Sequence, residues 1–91
     1  MRKELSAIVT GRVQGVGFRY FIYTKAKDLN VSGWVKNRSD GKVEALIAGE
    51  EVDLEKMSFE LRQGPWGSRV DECEFVWKPY TQSFTTFRVM H

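Results

Sequence analysis

Residues 3–30 read KELSAIVTGRVQGVGFRYFIYTKAKDLN: a strand-like run, a glycine turn and a helical stripe in direct succession. Residues 3–12 mix β-branched and apolar residues with polar ones and close on a glycine-rich stretch, which reads as a strand. From Phe18 onward, apolar residues recur at Ile22, Ala26 and Leu29, the spacing of one helix face. This predicts a helix over 18–29 with Asn30 as its left-handed cap. Between the two lies GRVQGVGFR, in which Gly11, Gly15 and Gly17 surround a single Arg19. The stretch VQGVGFR has no Ser, Thr, Asp or Asn to cap the helix. Its first N–H groups therefore lack a side-chain acceptor and sit beside a guanidinium, the makings of an anion site. An arginine fork in the first helical turn matches the oxygens of a phosphate. The turn is neither a P-loop, since no Gly-Lys-Ser/Thr ends it, nor a dinucleotide fingerprint, since Tyr20 stands where a third glycine belongs.

Working outward, VSGWVKNRSDGKVEALIAG reads as a hairpin, with strands over 31–38 and 42–48 and the turn at Asp40-Gly41. A second helix follows, with Glu50, Glu51 and Asp53 in the first turn, where the helix dipole favours acidic groups. Leu54, Met57 and Leu61 share one face, Val52 and Phe59 fall off it, and Gly64-Pro65 is a stop signal. Residues 69–78 alternate in part as a strand, and 84–90 suit a short fifth one. The order predicts an α+β, ferredoxin-like βαββαβ sandwich: a mostly antiparallel sheet, two helices on one face, and a short fifth strand. Right-handed crossovers put the first and third strands in the middle.

The remaining bounds are compatible with this. A chain of 91 residues, 42% hydrophobic and 29% charged, suits one domain over 1–91 with a single core. No apolar run approaches the roughly 20 residues of a membrane helix, and the N-terminus reads as a strand rather than a signal peptide. Cys73 is the one cysteine, so no internal disulfide forms, which suits a reducing cytoplasm. One Cys and one His do not make a tetrahedral metal shell, so no metal and no cofactor are expected. The formal net charge of +2 is light for a strong nucleic-acid binder. RNA-recognition domains share the element order but stack bases on aromatics of the central strands. Here those strands are ELSAIVTG and KVEALIAG, with no Phe, Tyr or Trp.

GRVQGVGFR and GWVKNRSDGKVE, together with the later RQGP, resemble the signatures of the acylphosphatase family in order and spacing, over almost the whole chain. The resemblance implies hydrolysis of the carboxyl-phosphate bond of small acyl phosphates, releasing a carboxylate and inorganic phosphate, without metal. It implies that the phosphate lies in the loop formed by Gln14, Gly15, Val16, Gly17 and Phe18 under Arg19, and that Asn37 orients the attacking water. The chemistry suits such residues. A carboxylate leaves without a proton near neutral pH, since carboxylic acids titrate at about 4. The phosphoryl group passes through a loose transition state governed by position and charge. An amide is a poor base, so the expected proton acceptor is the substrate phosphate. Asn37 ends the second strand, which runs parallel to the first, so both carboxyl ends lie at one edge of the sheet.

Other residues are expected to be structural. Gln14 either orders the loop or faces solvent, Lys36 and Arg38 form a solvated strand edge, and Cys73 is a strand residue. Trp66 packs in its loop and His91 is a frayed end. The family pattern departs at Asn30, commonly glycine there, and at the ending FRVMH, where a tyrosine is usual. The expected partner is a small acyl phosphate alone, with no nucleic acid and no membrane, bound by a cytoplasmic monomer.

Overall fold

The computed structural model describes residues 1–81 and 84–91. Its elements run β1 (Arg2–Arg12), α1 (Phe18–Leu29), β2 (Ser32–Asn37), β3 (Val43–Glu50), α2 (Glu51–Gln63), β4 (Arg69–Pro79) and β5 (Phe87–Met90). The sheet order is β4-β1-β3-β2-β5. β3 lies antiparallel to both β1 and β2, so β1 and β2 are parallel to each other with β3 between them. β5 extends the sheet beyond β2 in parallel register. This is the ferredoxin-like α+β arrangement with its added fifth strand.

Alternation places the core. Leu5, Ala7 and Val9 of β1 and Val43, Ala45 and Ile47 of β3 are buried. They meet Phe18, Ile22 and Ala26 of α1 and Leu54, Met57 and Leu61 of α2, all in one cluster. Each fully buried large side chain contributes about 1.5–3 kcal/mol, so the stripe that begins at Phe18 is what seats α1. The helix ends as its sequence requires. Asn30 adopts φ 60 and ψ 37, its N–H donates to the Lys27 carbonyl, and the Val31 N–H donates to the Ala26 carbonyl. That pair of bonds is a Schellman stop, with Val31 and Ala26 supplying its apolar contact.

Two boundaries differ from the sequence reading by more than one residue. β3 runs on to Glu50, so Glu50 is not in the first turn of α2. The reason is pairing: Arg2 stands opposite Glu50, whose carboxylate takes a hydrogen bond from the Met1 ammonium at 2.9 Å. The fifth strand begins at Phe87 rather than 84, because contact with β2 starts only where the Gly33 N–H donates to the Thr86 carbonyl. On the sheet face away from the helices, β1 and β3 present Ser6, Ile8, Glu44 and Leu46 to one another. No aromatic platform exists on the two central strands.

Candidate active site

Val13 and Phe18 are both buried, so the four residues between them must reverse the chain within a fixed span. They do so with Gly15 at φ 73 and Gly17 at φ 77. A Cβ at either position would meet nothing within 4 Å. The requirement for glycine is therefore one of backbone sign: an L-residue held left-handed loses roughly 1–2 kcal/mol. Gly17 is the residue before the helix and offers no side-chain cap. The first helical bond is from the Phe21 N–H to the Gly17 carbonyl at 3.0 Å. Among the described residues, none accepts a hydrogen bond from the N–H groups of residues 15–20. These donors and the positive end of the α1 dipole are concentrated on one turn of chain.

Arg19 stands in that turn, half-buried, and its Nη1 donates to the Met90 carbonyl at 2.8 Å. The bond draws the guanidinium toward β5 and leaves its other N–H groups available. Asn37 closes β2 at the same edge of the sheet, as the parallel course of β1 and β2 requires. Its Oδ1 is buried and has no hydrogen-bond partner among the described residues. An unpaired buried acceptor costs about 1–3 kcal/mol. Rotating the carboxamide about its last torsion exchanges oxygen and nitrogen with no change of shape.

Gly15, Gly17, Phe18, Arg19 and Asn37 line one cavity of about 390 Å³. Gln14 and Val16 stand apart from it. The Gln14 Nε2 donates to the carbonyls of Arg38 (2.8 Å) and Lys42 (3.0 Å), tying the glycine loop to the β2–β3 hairpin. Val16 packs against the core. Either has only its backbone N–H to offer a ligand. The hairpin that Gln14 grips is itself braced: Asp40 accepts from the Lys42 N–H and pairs with Arg38 at 2.9 Å. The Lys42 hydrogen bond, more than the Arg38 charge, holds the Asp40 carboxyl below the usual range.

Three residues depart from their sequence reading. His91, expected as a frayed end, lines the cavity next to Val89. Trp66, expected to pack, is 99% exposed on a turn closed by the Ser68 N–H and Oγ on the Pro65 carbonyl. Tyr20, read in the sequence only as standing in place of a third glycine, is 70% exposed on the cavity wall. The local residues FRVMH carry no sign of a site. Only the parallel seating of β5 on β2 delivers that segment to the loop edge.

The glycines make the next expectation. Gly15→Val and Gly17→Val should each weaken inorganic phosphate binding by tenfold or more while unfolding remains cooperative, because the strain falls outside the core. Calorimetric titration beside a thermal melt checks this, and parent-like phosphate affinity in both variants refutes it.

The acylphosphatase family model matches residues 5–89. An acylphosphatase of Koribacter versatilis is 45% identical over 82 residues, 90% of this chain and 74% of that protein. One from Salinibacter ruber is 42% identical over 87 residues, covering 96% and 92% respectively. The crystal structure of acylphosphatase from Bacillus subtilis matches with a TM-score of 0.94 at 36% identity, across the full length of both chains.

Proposed function

The chain belongs to the acylphosphatase family, hydrolases of acyl phosphates, and from that premise we propose that it cleaves small acyl phosphates by direct attack of water, without a metal ion. The observation that carries the mechanism is the convergence, on one cavity, of partnerless N–H groups, a guanidinium and a carboxamide with an unpaired oxygen. The N–H groups of residues 14–19 and the Arg19 fork hold the phosphoryl oxygens. They supply the positive charge that a loose, metaphosphate-like transition state draws on. Asn37 holds water in line with the scissile bond through its amide oxygen. The P–O bond to the acyl group breaks with its electron pair on the carboxylate, which leaves unprotonated. Inorganic phosphate is the second product and an inhibitor.

Metal independence rests on the donors present. Among the described residues, no cluster of three or more His, Cys, Asp or Glu is placed to hold an ion, while the cradle already supplies cationic and dipolar stabilisation. The cavity grips phosphate and places few groups around the acyl half, so several small acyl phosphates suit it. Among the described residues no helix is long and apolar enough to cross a membrane. The proposed setting is a monomer in the cytoplasm.

The test is hydrolysis of benzoyl phosphate by purified protein with and without a strong chelator. Equal rates in both conditions are expected, with competitive inhibition by phosphate. Loss on chelation with recovery on adding a divalent ion overturns the metal-free mechanism, and no hydrolysis in either condition overturns the activity.

A further inference from the structure

The glycine loop and Asn37 line one cavity, yet the strand ladders stop short of joining them. The β1–β3 register ends at Val9 opposite Val43, so the loop begins beyond the last rung between those strands. The β2–β5 register ends at Lys36 opposite Met90, so the ladder gives Asn37 only β3 as a neighbour, at Val43. A side chain spans the gap. The Gln14 Nε2 donates at 2.8 Å to the carbonyl of Arg38, the residue after Asn37, and at 3.0 Å to that of Lys42, the residue before Val43. On the reading that the cavity hydrolyses acyl phosphates, we propose that Gln14 is a positioning residue: its carboxamide sets where Asn37 stands relative to the phosphate cradle.

The hydrogen bonds suit that task. A primary amide carries two N–H donors, and here both are spent on the two carbonyls that bracket the Asn37–Val43 pair. The body that Gln14 grips is stiff. The Lys42 carbonyl also accepts from the Arg38 N–H at 2.8 Å, while Asp40 pairs with Arg38 and accepts from the Lys42 N–H. The other body is anchored too, since Val13 and Phe18 on either side of the loop are buried. Among the described residues, no other hydrogen bond joins residues 13–17 to residues 37–42. Loss of the amide therefore shifts one body against the other without dissolving either. The cradle keeps its shape, because the positive φ of Gly15 and Gly17 sets it, and Asn37 moves relative to it. A displacement of about 1 Å at a reacting group costs on the order of 10²-fold in rate.

The experiment is a double-mutant cycle on benzoyl phosphate hydrolysis: the parent, Gln14→Met, Asn37→Ala and the two together, with phosphate affinity by calorimetry and folding by thermal melts. Methionine matches glutamine in length and donates no hydrogen bond. Gln14→Met should lose about 10²-fold in kcat, with KM and phosphate affinity near the parent's. On the Asn37→Ala background the same substitution should change kcat by less than about threefold, because residues that act through one another are not additive. Gln14→Asn, which keeps both donors but is one methylene short, repeats the cycle if Gln14→Met does not fold. Losses that multiply in the double variant show Gln14 acting apart from Asn37 and overturn the proposal. Phosphate affinity that falls in step with kcat makes Gln14 part of the cradle's own shape and overturns it, as does a Gln14→Met kcat within threefold of the parent's. A chain that folds with neither substitution needs the amide for its fold, which overturns the positioning role. A parent that hydrolyses no benzoyl phosphate refutes the reading of the cavity itself, and the proposal with it.

Discussion

Arg19→Ala should lose both phosphate binding and hydrolysis, the latter by on the order of 10³–10⁵, or about 4–7 kcal/mol of transition-state stabilisation. If the guanidinium reaches phosphoryl oxygens in ground and transition states alike, KM should rise as kcat falls. A second consequence is structural: the substitution removes the bond to the Met90 carbonyl and with it a tie between α1 and β5. Arg19→Lys keeps the charge and loses the fork, so it should recover only part of the loss. Steady-state kinetics beside phosphate calorimetry decides the matter, and an Arg19→Ala protein with hydrolysis within tenfold of the parent refutes the assignment.

Asn37→Ala should separate binding from turnover. If its carboxamide touches the water and not the bound phosphate, kcat falls by roughly 10²–10³, as for one preorganised polar group. KM and phosphate affinity should hold, because an interaction made only in the transition state lowers kcat and kcat/KM equally. The structure adds an expectation about stability. The Asn37 Oδ1 is buried without a partner, so its removal deletes an unsatisfied acceptor worth about 1–3 kcal/mol of cost. Melting should therefore stay level or rise while activity collapses, the pattern of a side chain kept for function. If Asn37→Ala loses phosphate as badly as Arg19→Ala, Asn37 is a phosphate ligand instead.

Local features of the chain were legible because their physics is local. A strand, a turn at Gly15 and Gly17, and a helix from Phe18 to an Asn30 cap follow from backbone sign and side-chain period within a few residues. The Asp40-Gly41 hairpin follows from turn chemistry in the same way. Boundaries that depend on a partner strand were not legible. β3 reaches Glu50 because Arg2 stands across from it, and β5 begins at Phe87 because the Gly33 N–H meets the chain at Thr86. Gln14 could be read two ways in the sequence. Its amide is settled on the hairpin only once β2 and β3 bring two carbonyls within 3.0 Å of it.

The same division runs through the site. The sequence by itself determined the cradle: uncapped N–H groups, left-handed glycines and an arginine one residue into the helix are properties of one continuous segment, and its resemblance to known signatures pointed to Asn37. Only the tertiary structure decided what surrounds that cradle. The ending FRVMH has no local mark of function, yet parallel pairing with β2 seats it at the loop edge, where the Met90 carbonyl holds Arg19 and His91 lines the cavity beside Asn37. Trp66 shows the converse, since an aromatic that composition assigns to packing stands exposed on a closed turn. The physical reason is common to both: backbone conformation is set by neighbours along the chain, whereas strand seating is set by hydrogen bonds and buried area between segments distant in sequence.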